Sequence, residues 1–168
     1  MKGNIAVIMG SSRSHGNTKA IVDCYMHVHL NADLFDLNNY QIGYYDYEFK
    51  NNADDFMKLY KELLAYDTIV FATPIYWYTM SAQMKTFFDR ISDMLHGENK
   101  ALGRLLRGKS MAVISCGSDA EIFDGFEMPF RQSANYLGMQ YRGHIHTWLE
   151  VDGRISSKVE NIIKTFHN

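Results

Sequence analysis

Ile5-Ala6-Val7-Ile8-Met9-Gly10-Ser11-Ser12-Arg13-Ser14-His15-Gly16-Asn17-Thr18 runs from five consecutive apolar residues into a loop of glycines and hydroxyls. An unbroken apolar run suits a strand covered by helices on both faces, as in the centre of a parallel sheet. Gly10 and Gly16 allow tight turns, and the helix predicted from about Asn17 to His29 would aim its free N–H groups back at the loop. Such a junction is built to hold a phosphate monoester. The plainer alternative is that Asn17 or Thr18 merely caps a helix after a polar turn. The loop has no Gly-Lys-Ser/Thr at P-loop spacing and no Gly-x-Gly-x-x-Gly, which weakens ATPase and Rossmann dehydrogenase readings. His15 is taken to face solvent.

Outward from this stretch, apolar runs alternate with amphipathic segments, the pattern of repeated βα units. A strand is expected at 33–37, a polar aromatic loop at 38–52, a helix at 53–65 and a strand at 68–72 ended by Pro74. Helix three spans Ser81 to about Leu95. Met84, Phe87, Phe88, Ile91 and Leu95 form its apolar face, with Lys85, Asp89, Arg90 and Asp93 on the other side. The segment 96–109 reads as a loop, followed by a strand at 111–115, a helix at 129–136, a strand near 139–147 and a helix at 156–166. The expectation is one domain over residues 1–168, with five strands and five helices.

The chain has 168 residues and a formal charge of −2, too weak a field to recruit nucleic acid or an anionic membrane surface. No apolar stretch approaches the ~20 residues that span a bilayer. Met1-Lys2-Gly3 leads into the first run without a signal pattern, so a cytoplasmic location is expected. Cys24 and Cys116 are the two cysteines, too far apart in sequence for a disulfide framework or metal cluster.

Thr73-Pro74-Ile75-Tyr76-Trp77-Tyr78-Thr79-Met80-Ser81 follows the third strand. Ligands of open α/β sheets sit beyond the carboxyl ends of the strands, and three adjacent large aromatics in such a loop point to a cavity wall or an interface. A flat aromatic cofactor is the natural occupant. Ser115-Cys116-Gly117-Ser118-Asp119 leaves the fourth strand on the same rim and suits the edge of a planar ring.

With these loops the chain resembles the NADPH-dependent FMN reductase-like flavoproteins of the flavodoxin superfamily. Those share Gly-Ser-x-Arg-x-x-Gly-Asn-Thr and Thr-Pro-x-Tyr-Trp motifs, and a Ser-x-x-x-Lys-x-x-x-Asp-Arg segment matched here by Ser81, Lys85, Asp89 and Arg90. The resemblance implies a flavodoxin-like three-layer α/β sandwich: a five-stranded parallel sheet of order 2-1-3-4-5 with helices on both faces. It implies non-covalent FMN, reduced by NADPH or NADH, and a homodimer or dimer of dimers. Ser11, Arg13, Ser14, Asn17 and Thr18 match the phosphate motif, with Gly16 supplying the turn. Pro74, Ile75, Tyr76 and Trp77 match the ring loop, and Ser115, Cys116, Gly117 and Ser118 would border the ring.

Iron-sulfur relatives carry a cysteine motif after the second strand. Here that place reads Ile42-Gly43-Tyr44-Tyr45-Asp46-Tyr47-Glu48-Phe49, without the thiolates a cluster needs. These tyrosines are expected to pack over the flavin or a partner subunit. His144 and His146 are read as alternating across the last strand, without a role, and no residue stands out as a catalytic acid or base. The expected activity is hydride or electron passage from a nicotinamide through FMN to a small acceptor: flavin, quinone, azo or nitro compound. The alternative is a non-enzymatic FMN carrier or redox-sensing module.

Overall fold

The computed structural model describes residues 4–166. Met1, Lys2 and Gly3, read above as leading into the first strand, lie outside them. The strands are β1 (Ile5–Met9), β2 (Ala32–Asp36), β3 (Thr68–Pro74), β4 (Ser110–Cys116) and β5 (Gln140–Thr147). They form one parallel sheet in the order β2-β1-β3-β4-β5, as expected. Six α-helices are described: α1 (Asn17–Val28), α2 (Phe56–Leu63), α3 (Ala82–Arg90), α4 (Lys100–Gly103), α5 (Met128–Leu137) and α6 (Ser157–Thr165).

The continuous apolar runs have a direct cause. Val7, Met9, Val70, Ala72, Ala112 and Ile114 pack under α1 and α6, while Ala6, Ile8, Ile69, Phe71, Met111 and Val113 pack under α2, α3 and α5. Alternate residues enter opposite cores, so the middle positions of these central strands are apolar on both faces, with Thr68, Thr73, Ser110 and Ser115 toward their ends.

Three expectations change. Segment 96–109 is not a plain loop: it holds α4 between two single 3-10 turns. Helix three is α-helical only to Arg90 and tightens into a 3-10 stretch over Ile91–Leu95. Arg90 and Asp93 are buried, not solvated. The Arg90 guanidinium is ion-paired with Asp54 and donates to Asp93 Oδ2 at 2.7 Å. It also donates to the carbonyls of Gly43 (3.0 Å) and Asn51 (3.1 Å), so this one cation clamps both ends of the tyrosine loop. Its charge is balanced by two carboxylates, the condition under which burial is tolerated.

Among the described residues, no helix is long and apolar enough to cross a membrane. Both cysteines are free thiols.

Candidate functional site

All three predicted loops meet at the carboxyl ends of β1, β3 and β4. The junction after β1 is drawn tight against α3: a Cβ on Gly10 would lie 2.9 Å from Met84 Cβ, so only glycine fits without a shift. Ser81 locks it, donating from Oγ to the Gly10 carbonyl (2.8 Å) while accepting from the Met84 amide (3.1 Å) as the N-cap of α3. From the other side Asn38 Nδ2 donates to the Ser11 carbonyl at 2.7 Å.

Helix α1 begins after Gly16, and no side chain caps it. Among the described residues, the backbone N–H groups from Ser11 to Lys19 find no protein acceptor. A free helix N-terminus with a run of unsatisfied amides is an anion cradle, which disposes of the simple capping alternative. Arg13 folds back over Gly16, where a Cβ would stand 3.5 Å from its Nε. The amides, Arg13 and the hydroxyls of Ser11 and Thr18 suit the oxygens of a phosphate monoester.

A cleft of about 250 Å³ brings Ser11, Arg13, Gly16, Asn17 and Thr18 together with Pro74, Ile75 and Tyr76, and with Cys116, Gly117 and Ser118. Ser12 Oγ and Tyr76 Oη, 2.8 Å apart, tie the first two loops together. A second cleft of about 220 Å³ shares Ile75, Gly117 and Ser118 with the first and continues over Trp77, Tyr78 and Phe123. Asp119 and Glu121 also line it, and among the described residues no lysine or arginine does.

Trp77 thus faces the second cleft. It sits with Tyr78 at the tip of a tight turn closed by reciprocal Tyr76 and Thr79 backbone bonds of 2.9 and 3.1 Å. Trp77 (φ 47°) and Tyr78 (φ 66°) both lie in the left-handed region, which bulky residues rarely occupy. Trp77 is 90% exposed, while Tyr78 meets Phe123 edge to face at 4.8 Å.

Two predicted residues line neither cleft. Ser14 sits half-buried within the loop, and Ser115 is wholly buried behind the rim. Ser115 Oγ instead bonds His144 Nε2 (2.7 Å) and His146 Nδ1 (2.8 Å). The two histidines therefore share a face and a partner, which corrects the expectation that they alternate. A bulge opposite Met111/Ala112, absorbed by Gly143 at φ 116°, sets which face. Tyr44, Tyr45, Tyr47 and Phe49 of the tyrosine loop line neither cleft, and Phe49 packs on His96. A cavity of about 690 Å³ between α3 and α5 lies away from these loops. No group of three or more histidines, cysteines or carboxylates suited to a metal occurs among the described residues.

The family model for NADPH-dependent FMN reductases matches residues 4–151. The chain belongs to that family. A curated relative, the putative NAD(P)H-dependent FMN-containing oxidoreductase YwqN of Bacillus subtilis, is 29% identical over 154 residues, covering 84% of this chain and 82% of its own. Among solved structures, the Trp repressor binding protein of Bacillus subtilis superposes with a TM-score of 0.78 at 24% identity, over 98% of both chains. General stress protein 14 of Treponema denticola, solved in complex with FMN, gives 0.68 at 16% identity, over 97% of this chain and 95% of that one. These likenesses place this FMN reductase family member in the flavodoxin-like fold. Its cradle of amides, hydroxyls and one guanidinium fits the phosphate of FMN.

Proposed function

We propose that this oxidoreductase binds the FMN phosphate on Ser11–Thr18 and seats the ring between Pro74–Tyr76 and Cys116–Ser118. Hydride from NAD(P)H then reaches an uncharged planar acceptor, a quinone, azo or nitro compound, in the cleft under Trp77. The carrying observation is the uncapped start of α1, with its amides from Ser11 to Lys19, opening into the same cleft as Pro74–Tyr76. When bound, FMN supplies the hydride-accepting ring atom; the protein binds, orients and shields it.

The choice of acceptor rests on charge. Asp119 and Glu121 line the second cleft with no lysine or arginine among the described residues there, and they would repel the phosphate dianion of a free FMN acceptor. Trp77, Tyr78 and Phe123 offer flat apolar contact to an uncharged ring. The homodimer implied by family likeness belongs to the same reading, and sedimentation velocity measures it.

The test begins with FMN titration followed by flavin fluorescence, then anaerobic mixing of the loaded protein with excess NADPH or NADH. Binding and bleaching are expected, with faster reoxidation by neutral quinones than by free FMN. Binding without bleaching would replace the enzyme with an electron carrier or redox sensor. Failure to bind FMN would remove both readings.

A further inference from the structure

Behind the rim, Ser115, His144 and His146 form a hydrogen-bond chain that ends on the loop shared by both clefts. Besides its bonds to Ser115, this chain places His146 Nε2 2.9 Å from the Asp119 carbonyl oxygen. A carbonyl only accepts, so Nε2 carries a proton. In the neutral ring Nδ1 is then a bare lone pair and accepts from the Ser115 hydroxyl. That hydroxyl has one proton, so toward His144 it must accept, which puts the His144 proton on Nε2. The chain runs one way: His144 to Ser115 to His146 to Asp119.

Both rings are held by packing, His144 against Phe126 (centroids 5.1 Å apart) and His146 against Trp148 (6.0 Å). The loop is pressed onto the second ring, since a Cβ on Gly117 would fall 2.7 Å from His146 Cε1. Its first residue is tied separately, the Gly117 amide donating to the Thr147 carbonyl at 2.9 Å. Beyond that point, His146 is the strand's hold on the loop.

We propose that His146 is a positioning residue for the cofactor rim: through the Asp119 carbonyl it holds Gly117–Asp119 in place, with Ser115 and His144 selecting the tautomer that can do so. This rests on the FMN reading for its consequence, but not for the tether itself.

The tether is tested directly by the ¹⁵N chemical shifts of the histidine rings in the wild-type protein near neutral pH, recorded before and after FMN is added. Both His144 and His146 are expected as Nε2–H tautomers, and His146 found as Nδ1–H would overturn the proposal. The consequence is tested with two substitutions. His146→Gln keeps an N–H at the Nε2 position, and His146→Asn keeps only a group at the Nδ1 position. FMN affinity within about threefold of wild type is expected for Gln. At least tenfold weaker binding, with altered visible circular dichroism of the flavin, is expected for Asn. Equal affinities for the two variants would sink the positioning role. If wild type itself binds no FMN, the function reading fails while the ring shifts still decide the tether.

Discussion

Among the described residues, Arg13 is the one cation lining the first cleft, and it stands where a dianion would meet the unsatisfied amides. A charge-assisted hydrogen bond is worth about 1.5–3 kcal/mol. Arg13→Ala is therefore expected to weaken FMN binding by about ten- to a hundredfold, while riboflavin, which lacks the phosphate, loses little. Fluorescence titration with both ligands checks it; equal losses would place Arg13 elsewhere. Arg90 is a different kind of cation, nearly inaccessible and engaged by Asp54, Asp93 and two carbonyls. Arg90→Ala leaves two carboxylates without their partner and is expected to destabilise the fold by about 3–5 kcal/mol, measured by urea unfolding. The Arg13 motif was legible from the sequence. Arg90 was matched to a family segment, yet helical periodicity put it on the solvated side, because periodicity records polarity and not the two acids that make burial tolerable.

Among the elements, the Tyr76–Thr79 turn is held against local preference. Two successive left-handed residues would ordinarily be Asn-Gly, and bulky residues there cost about 1–3 kcal/mol each. Replacing Trp77→Asn together with Tyr78→Gly is expected to raise the unfolding midpoint. It should also raise the acceptor KM severalfold, with FMN affinity held within about twofold. Thermal unfolding and steady-state kinetics on one preparation check both; an unchanged KM would remove this turn from the acceptor site. The aromatic loop was visible in the sequence, but its tight turn was not, since nothing in Tyr-Trp-Tyr signals positive φ. The bulge at Gly143 was equally hidden: one extra residue in β5 decides that His144 and His146, not Gly143 and Ile145, face Ser115.

For the whole molecule, that geometry makes stability depend on pH. Burial, and secondarily the neighbouring His146, push His144 down to about 4. An unfolded histidine titrates near 6.5, so between these values the unfolded chain binds more protons than the folded one. Stability is then full above about pH 6.5, falls as pH drops toward 4 and levels below it, with about 3 kcal/mol at stake. Urea unfolding between pH 7.5 and 4 checks this, and His144→Gln should flatten the slope by about one proton.

The sequence alone determined the βα alternation, the sheet class and the glycine and hydroxyl loop after β1, and family likeness added the strand order. Those features are written in local runs of a few residues, where apolar continuity and glycine placement have few other solutions. Only the tertiary structure decided that Ser115 sits behind the rim, that Trp77 faces an adjoining cleft lined by two acids, and that His146 bonds the loop shared by the two clefts. Each of these joins residues far apart in the chain through strand register and side-chain direction, which local pattern does not encode. The loop after β1 could be read as a phosphate cradle; the rim at Gly117–Asp119 had to be folded first.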